Sequence, residues 1–155
     1  MTPFAETVRP EWIDYNGHMN VAYYLLVFDH ASDALLDQLK LGLDYCNRQY
    51  CSLFVVETHI TYQREVVEGD DLRINTRILG YDQKRLHLFH EMYHVASGDL
   101  AATNEVMLLH VNMTDRRTTE FPDHVQDRIK PVFESHQKLG MPTQAGRAVK
   151  ILQSL

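Results

Sequence analysis

Residues 12–20, Trp-Ile-Asp-Tyr-Asn-Gly-His-Met-Asn, carry the side chains best suited to chemistry in this chain. The run sets the carboxylate of Asp14, the imidazole of His18 and the amide of Asn20 just ahead of a long apolar-periodic segment. The first N–H groups of a helix lack intrahelical partners and lie at the positive end of the helix dipole. A carboxylate beside such donors is what acyl transfer requires, because the donors can stabilise an oxyanion.

Each residue of this run also has a chemical use. Gly17 permits a tight turn or the close approach of a ligand, His18 can carry a proton, and Asn20 can cap a helix or orient a ligand. The backbone N–H of Val21 would point toward an electron-rich carbonyl oxygen. A purely structural role for Asp14, as a turn or capping residue, is the alternative, because Asp is common before helices.

The segment that follows predicts one long helix. Apolar residues recur at three-and-four spacing over residues 21–41, which is typical of a helix. Asn20 is a good N-cap residue and Gly42 a good stop signal. The apolar face is wide, so we expect the helix to pack on a sheet. Residues 44–50 are interpreted as irregular.

The rest of the chain predicts strands. Residues 52–67, 72–79, 85–96 and 100–113 are rich in β-forming residues, and turn signals lie between them, which favours an antiparallel meander of four long strands after a short opening extended segment. One helix on one face of a curled antiparallel sheet is an α+β arrangement. A polar tail begins at Pro122 and includes a short helix over residues 125–138. We expect a single domain, 1–155, with a core of about 4–114 and a C-terminal extension of 115–155.

Composition excludes several classes of protein. The chain has 155 residues, 45% apolar and 23% charged, with a net charge of −6; it has no basic run, so a nucleic-acid partner is not expected. Cys46 and Cys51 do not form a CxxC pair and are interpreted as reduced thiols. The first residues do not resemble a signal peptide, and the apolar runs are too short to span a membrane. The cytoplasm is therefore the expected compartment, with no membrane association.

One motif points to different chemistry. His90, Glu91 and His94 match H-E-x-x-H, the zinc-protease signature. The motif holds zinc only on a helix, because on a strand the two histidines would lie roughly 13 Å apart at ~3.3 Å per residue. The turn signals at residues 80–84 and 97–99 favour a strand, so we expect no metal site. A zinc hydrolase remains an alternative, because apolar residues 86, 89 and 93 would also share a helical face.

The run Asp-x-x-Gly-His-x-Asn ahead of a helix, with Tyr24 ten residues after Asp14, resembles the hotdog-fold acyl-CoA thioesterases of the 4-hydroxybenzoyl-CoA thioesterase type. The order of elements matches that hotdog fold, and the resemblance covers residues 4–114. Three segments, 12–20, 84–90 and 105–111, are similar to the betainyl-CoA thioesterases of carnitine breakdown, which also occur fused to carnitine dehydrogenases. Many relatives have a second Asn after Asn20 where this chain has Val21, which leaves the backbone N–H available.

The resemblance implies roles for particular residues. Asp14 would attack the thioester carbonyl or activate a water as general base, the Val21 N–H would polarise the thioester oxygen, and His18, Asn20 and Gly17 would shape the site. Coenzyme A enters as part of the substrate, so no separate cofactor is expected. Candidate cations for its phosphates are Arg64, Lys84 and Arg85, which can equally be solvated surface residues.

Betaine carries a quaternary ammonium, which aromatic faces attract. The aromatic candidates are Tyr24 from the motif, together with Trp12, Tyr15, Tyr23 and Tyr62, and Glu57 is a candidate carboxylate. In this fold the sites lie between two subunits whose sheets join edge to edge, so a homodimer or homotetramer is implied. A non-catalytic acyl-CoA-binding module on the same fold is the remaining alternative.

Overall fold

An antiparallel sheet packed against one long helix forms the framework of the chain. The computed structural model describes residues 2–151. In chain order the elements are β1 (Phe4–Thr7), a 3-10 turn (Pro10–Trp12), α1 (Val21–Gln38), α2 (Leu43–Gln49), β2 (Cys51–Tyr62), β3 (Asp71–Tyr81), β4 (Arg85–His94), β5 (Leu100–Asn112), β6 (Arg117–Thr118) and α3 (Asp123–Gln137).

Helix α1 begins where the sequence predicts and ends three residues earlier. The Asn20 side chain caps it by accepting the Ala22 N–H at 3.0 Å. Lys40 adopts a left-handed backbone conformation, φ +57°, which ends the helical path before Gly42. Gly42 instead caps the next helix, α2.

Helix α2 corrects the prediction of an irregular segment over residues 44–50. Its seven residues are too few for independent stability. Tyr45 is buried, and its hydroxyl lies 2.9 Å from Nε2 of the buried His110. Burial raises the pKa of Tyr45 to about 12, so the phenol is neutral in the folded chain. Tertiary packing therefore holds a helix that local sequence does not indicate.

The strand order corrects the predicted meander. Strands β3, β4 and β5 follow one another as expected, but β2 pairs with β5, and the full order is β1-β3-β4-β5-β2. A β-bulge interrupts the β2–β5 register between Val55 and Glu57. Strand β2 therefore forms one edge of the sheet, along a length of twelve residues.

The core continues past residue 114. Phe121, Val125 and Ile129 are almost fully buried and pack with the C-terminal part of α1 and with β3, β4 and β5. Helix α3 spans Asp123–Gln137, close to the predicted 125–138, and closes this end of the core. Within residues 2–151, no helix combines the length and the apolar content that a membrane span requires.

Candidate active site

The Asp14 turn is a tight loop clamped onto the start of α1. Ile13 and Met19 form an isolated antiparallel bridge, and the Gly17 N–H donates to the Asp14 carbonyl at 3.0 Å. Gly17 has φ +81°, a conformation that other residues adopt only with strain. The Asn20 N–H donates to the Trp12 carbonyl at 2.9 Å, which ties the loop to the preceding 3-10 turn.

Both oxygens of the Asp14 carboxylate are held by donors. The Asn16 N–H donates to Oδ1 at 2.8 Å, and Nδ2 of Asn20 donates to Oδ2 at 3.2 Å. The other end of the Asn20 amide caps α1 through the Ala22 N–H. The half-buried carboxylate is therefore tied to Asn20, the residue that caps the first turn of α1.

The N–H of Val21 is available at the helix N-terminus. Among residues 2–151 it donates to no protein acceptor, whereas its neighbours Asn20 and Ala22 both do. A free N–H at this position carries the partial positive charge of the helix dipole and can stabilise a developing oxyanion. Asp14 thus lies in the turn that leads directly into a helix whose first N–H is free.

The His18 ring faces Glu65 rather than Asp14. Its Nδ1 lies 3.3 Å from the Met19 carbonyl oxygen, and its Nε2 lies 3.8 Å from Oε2 of Glu65. The His18 backbone carbonyl accepts the Asp14 N–H at 3.2 Å, so this residue closes the turn. Glu65 was not predicted, because it follows β2 and no local pattern marks it.

Tyr24 on α1 and Tyr62 at the end of β2 lie beside the first turn of α1. The Tyr62 hydroxyl donates to the Val21 carbonyl at 3.3 Å, and the Tyr24 ring meets the Tyr62 ring edge to face at 5.1 Å. Burial raises the pKa of both phenols, so both stay neutral donors. Tyr24 is buried, whereas Tyr62 is 48% exposed and presents ring surface beside the site.

The other aromatic candidates are less available to a ligand. Trp12 is only 3% exposed, and its ring stacks on Tyr23 at 5.5 Å. The Arg9 guanidinium also lies over Trp12, 5.1 Å from the ring centroid. Tyr15 is 97% exposed at the tip of the turn. Trp12 therefore packs the loop onto α1 and offers no free face in this chain.

The three predicted cations lie apart from one another. Arg64 is near the site, where its backbone carbonyl accepts the Tyr24 hydroxyl at 3.4 Å, but its guanidinium is paired with Asp99. Asp99, the partner of Arg64, follows the end of β4, whereas Lys84 and Arg85 lie at its start. Strand β4 is about 30 Å long at ~3.3 Å per residue. A single chain does not bring them to Asp14.

The remaining candidates are separate from the Asp14 turn. Glu57 lies on the outer face of the sheet, away from α1, beside a cavity that His59 and His87 also line. His90 and His94 lie on strand β4, as predicted. His90 is fully buried between the hydroxyls of Ser32 and Thr76, at 3.0 and 2.9 Å. The helical geometry that the zinc alternative needs is therefore not present.

His94 also has partners of its own. Its Nδ1 lies 2.7 Å from the Ser97 hydroxyl and its Nε2 lies 3.2 Å from a carboxylate oxygen of Asp70. Across residues 2–151, no group of three or more His, Cys, Asp or Glu side chains is arranged to hold a metal ion.

Comparison with known proteins identifies relatives over nearly the whole chain. A family model described as the thioesterase-like superfamily matches residues 8–129. A betainyl-CoA thioesterase of Pseudomonas aeruginosa is 42% identical over 151 residues, covering 96% of this chain and 94% of the relative. An L-carnitine dehydrogenase/betainyl-CoA thioesterase of Rhizobium meliloti is 39% identical, and this chain covers 28% of its length.

A solved structure shares the whole architecture. A hypothetical protein of Staphylococcus aureus in complex with CoA superposes with a TM-score of 0.90 at 33% sequence identity. The match covers 97% of this chain and 94% of that one. The predicted α+β hotdog fold is thereby confirmed.

Proposed function

The chain belongs to the thioesterase-like superfamily, and we propose that it hydrolyses a short, polar acyl-CoA, betainyl-CoA being the substrate we favour. The products would be betaine and CoA, as in carnitine degradation. One observation carries the proposal: two hydrogen bonds orient the Asp14 carboxylate, and one of them comes from Asn20, the residue before the free N–H of Val21. The names of the betainyl-CoA thioesterase relatives support the choice of acyl group.

The geometry serves two chemical routes. In the first, an Asp14 oxygen attacks the thioester carbonyl carbon, a C–O bond forms, the C–S bond breaks, and water then hydrolyses the mixed anhydride. In the second, Asp14 takes a proton from an attacking water and returns it to the departing sulfur. In both routes the Val21 N–H stabilises the negative charge on the carbonyl oxygen.

A quaternary ammonium on the acyl group would meet favourable groups near the site. The exposed ring surface of Tyr62 can contribute roughly 0.5–2 kcal/mol to binding such a cation. Glu65, beside His18, supplies a carboxylate in the same region. We therefore assign Tyr62 and Glu65 to substrate recognition, in place of the buried Trp12 and the outward-facing Glu57.

We propose that the enzyme is a homodimer joined along β2. The strand leaves a twelve-residue edge without a neighbour among the described strands, and such an edge needs a partner or protection. Large apolar side chains beside this edge are unusually exposed, which suits a buried interface. They are Val21, Leu25, Val55 and Val56. Dimers can pair further into a tetramer.

Antiparallel pairing of two β2 edges also gives Lys84 and Arg85 a place in the site. Arg85 lies opposite Leu109, and Leu109 lies opposite Phe54 near the start of β2. In such a dimer the start of one β2 adjoins the end of the other, where Tyr62 contacts Val21 at the start of α1. The cations would then lie about three strand spacings, ~14 Å, from the neighbouring site, within reach of the nucleotide of CoA.

The cytoplasm stays the expected compartment for this reaction. Both cysteines, Cys46 and Cys51, are free thiols in the structure, in keeping with a reducing environment.

A thiol-release assay over an acyl-CoA panel that includes betainyl-CoA tests the proposal. We expect turnover by the parent enzyme and a loss of 10²–10⁴-fold in kcat for Asp14→Asn, which keeps the size of the side chain. The matched control is Asp127→Asn at an exposed position of α3, which should retain parent activity. Tight binding of acyl-CoA without turnover would instead identify a binding module, and equal rates in Asp14→Asn and the parent would refute the catalytic assignment.

A further inference from the structure

The Asn104 side chain is buried but only partly satisfied. It is 2% exposed, and its Oδ1 accepts the Thr58 hydroxyl at 2.5 Å. Among residues 2–151, its Nδ2 has no hydrogen-bond partner. Every side-chain nitrogen or oxygen that is sealed from solvent in this part of the chain does have a partner. The Asn104 Nδ2 therefore reaches an accessible space.

That space is the groove between α1 and β2. Asn104 lies opposite Ile60 in the sheet, and Ile60 packs against the core on the α1 side. Helix α1 packs on β1, β3 and β5, while Thr58 on β2 is exposed. The Asn104 amide thus lies on the floor of this groove, with Thr58 on the same face.

The groove leads away from the Asp14 site. Tyr62 contacts the Val21 carbonyl and lies opposite Ala102 on β5. Asn104 is two residues farther along β5, about 7 Å at ~3.3 Å per residue. A thioester whose carbonyl oxygen meets the Val21 N–H would therefore direct the far end of a longer acyl group past Tyr62 toward Asn104.

We propose that Asn104 and Thr58 form a specificity-determining pair that favours short acyl groups over aliphatic chains of about six carbons. The inference rests on the proposed function. An alkyl chain lying over the amide would remove its water without replacing the hydrogen bond, which is costly. A short acyl group leaves that water in place, and so does the betainyl group, whose ammonium would stop at the Tyr62 ring.

The experiment compares kcat/KM for hexanoyl-CoA with kcat/KM for betainyl-CoA. The variant is Asn104→Leu combined with Thr58→Val, because replacing both partners by apolar groups of similar shape leaves no unpaired polar atom. We expect the hexanoyl-to-betainyl ratio to rise about tenfold or more. Asn104→Ala alone, which removes the amide with less crowding, should shift the ratio in the same direction.

The matched control is Thr61→Val combined with Thr103→Val. Thr61 and Thr103 form a hydroxyl pair between the same two strands, on the outer face of the sheet. This double change should leave the ratio at the parent value. If a folded Asn104 variant has a hexanoyl-to-betainyl ratio within twofold of the parent's, or if the control shifts this ratio equally, the inference is overturned while the proposed function stands. A parent enzyme that hydrolyses no acyl-CoA overturns the proposed function and this inference together.

Discussion

The Asn20 amide links the carboxylate of Asp14 to the start of α1. Its Nδ2 donates to Oδ2 of Asp14 at 3.2 Å, while its Oδ1 accepts the Ala22 N–H at 3.0 Å. One side chain therefore fixes both the direction of the carboxylate and the first turn of the helix that carries the proposed oxyanion donor. The two elements of the proposed mechanism are held in one hydrogen-bonded unit.

Substitutions of Asn20 should separate these two roles. Asn20→Asp keeps a good N-cap, so helix α1 should keep its first turn, but it replaces the donor to Asp14 by a like charge. We expect a lower kcat/KM whose acid limb moves to higher pH. Asn20→Ala removes the cap and should cost about 1 kcal/mol of stability as well. Denaturant titration and pH–rate profiles measure both effects.

The control for this series is Asn47→Asp, at an exposed position of α2. It makes the same chemical change away from Asp14 and should leave the pH–rate profile unmoved. If Asn20→Asp has the parent's rate and acid limb, the Asn20 side chain does not orient the carboxylate.

A site shared between subunits predicts complementation. One type of subunit carries Asp14→Asn and should have little activity by itself. The other type carries Lys84→Ala with Arg85→Ala and should show a raised KM for acyl-CoA by itself. Unfolding and refolding the two together produces mixed dimers in which one site has both Asp14 and the two cations. We expect those mixtures to regain part of the parent rate at low substrate concentration, which thiol release measures. Rates that equal the sum of the separate variants would place the cations outside the neighbouring site.

The edge of β2 should control assembly. Val56→Lys places a charge beside the exposed edge, a change that opposes edge-to-edge pairing. We expect a smaller particle in light scattering and a loss of activity. Val95→Lys is the matched control, because Val95 is 52% exposed, close to the 53% of Val56, but follows β4 instead. An unchanged mass for Val56→Lys would argue against a dimer through β2.

Buried His90 should make stability depend on pH. Burial lowers its pKa to about 3 in the folded chain, whereas the ordinary value is 6.5. Between these values the unfolded chain binds a proton that the folded chain does not, so stability falls as the pH falls, by up to about 1.4 kcal/mol per pH unit. His90→Gln should flatten this slope in denaturant titrations at pH 4–6.5, and exposed His124→Gln should not. Equal slopes in His90→Gln and the parent would contradict this origin.

Local patterns predicted the elements that depend on local interactions. The cap at Asn20, the start of α1 and the strands on either side of the turns follow from residue type and spacing, and they appear close to the predicted positions. Helix α2 was missed because its stability comes from the burial of Tyr45 against His110, which lies 65 residues away. The position of β2 beside β5 was missed because consecutive strands commonly pair, and nothing local marks the exception.

By itself, the sequence determined the proposed catalytic unit, because Asp14, Gly17 and Asn20 interact within one turn and with the helix that follows. Only the tertiary structure decided what surrounds that unit. It buried Trp12, turned Glu57 to the outer face, brought Glu65 to His18 and opened the Asn104 amide to the groove. These placements depend on strand order, on the bulge in β2 and on contacts between distant segments, and such long-range packing leaves no periodic trace in the residues that take part.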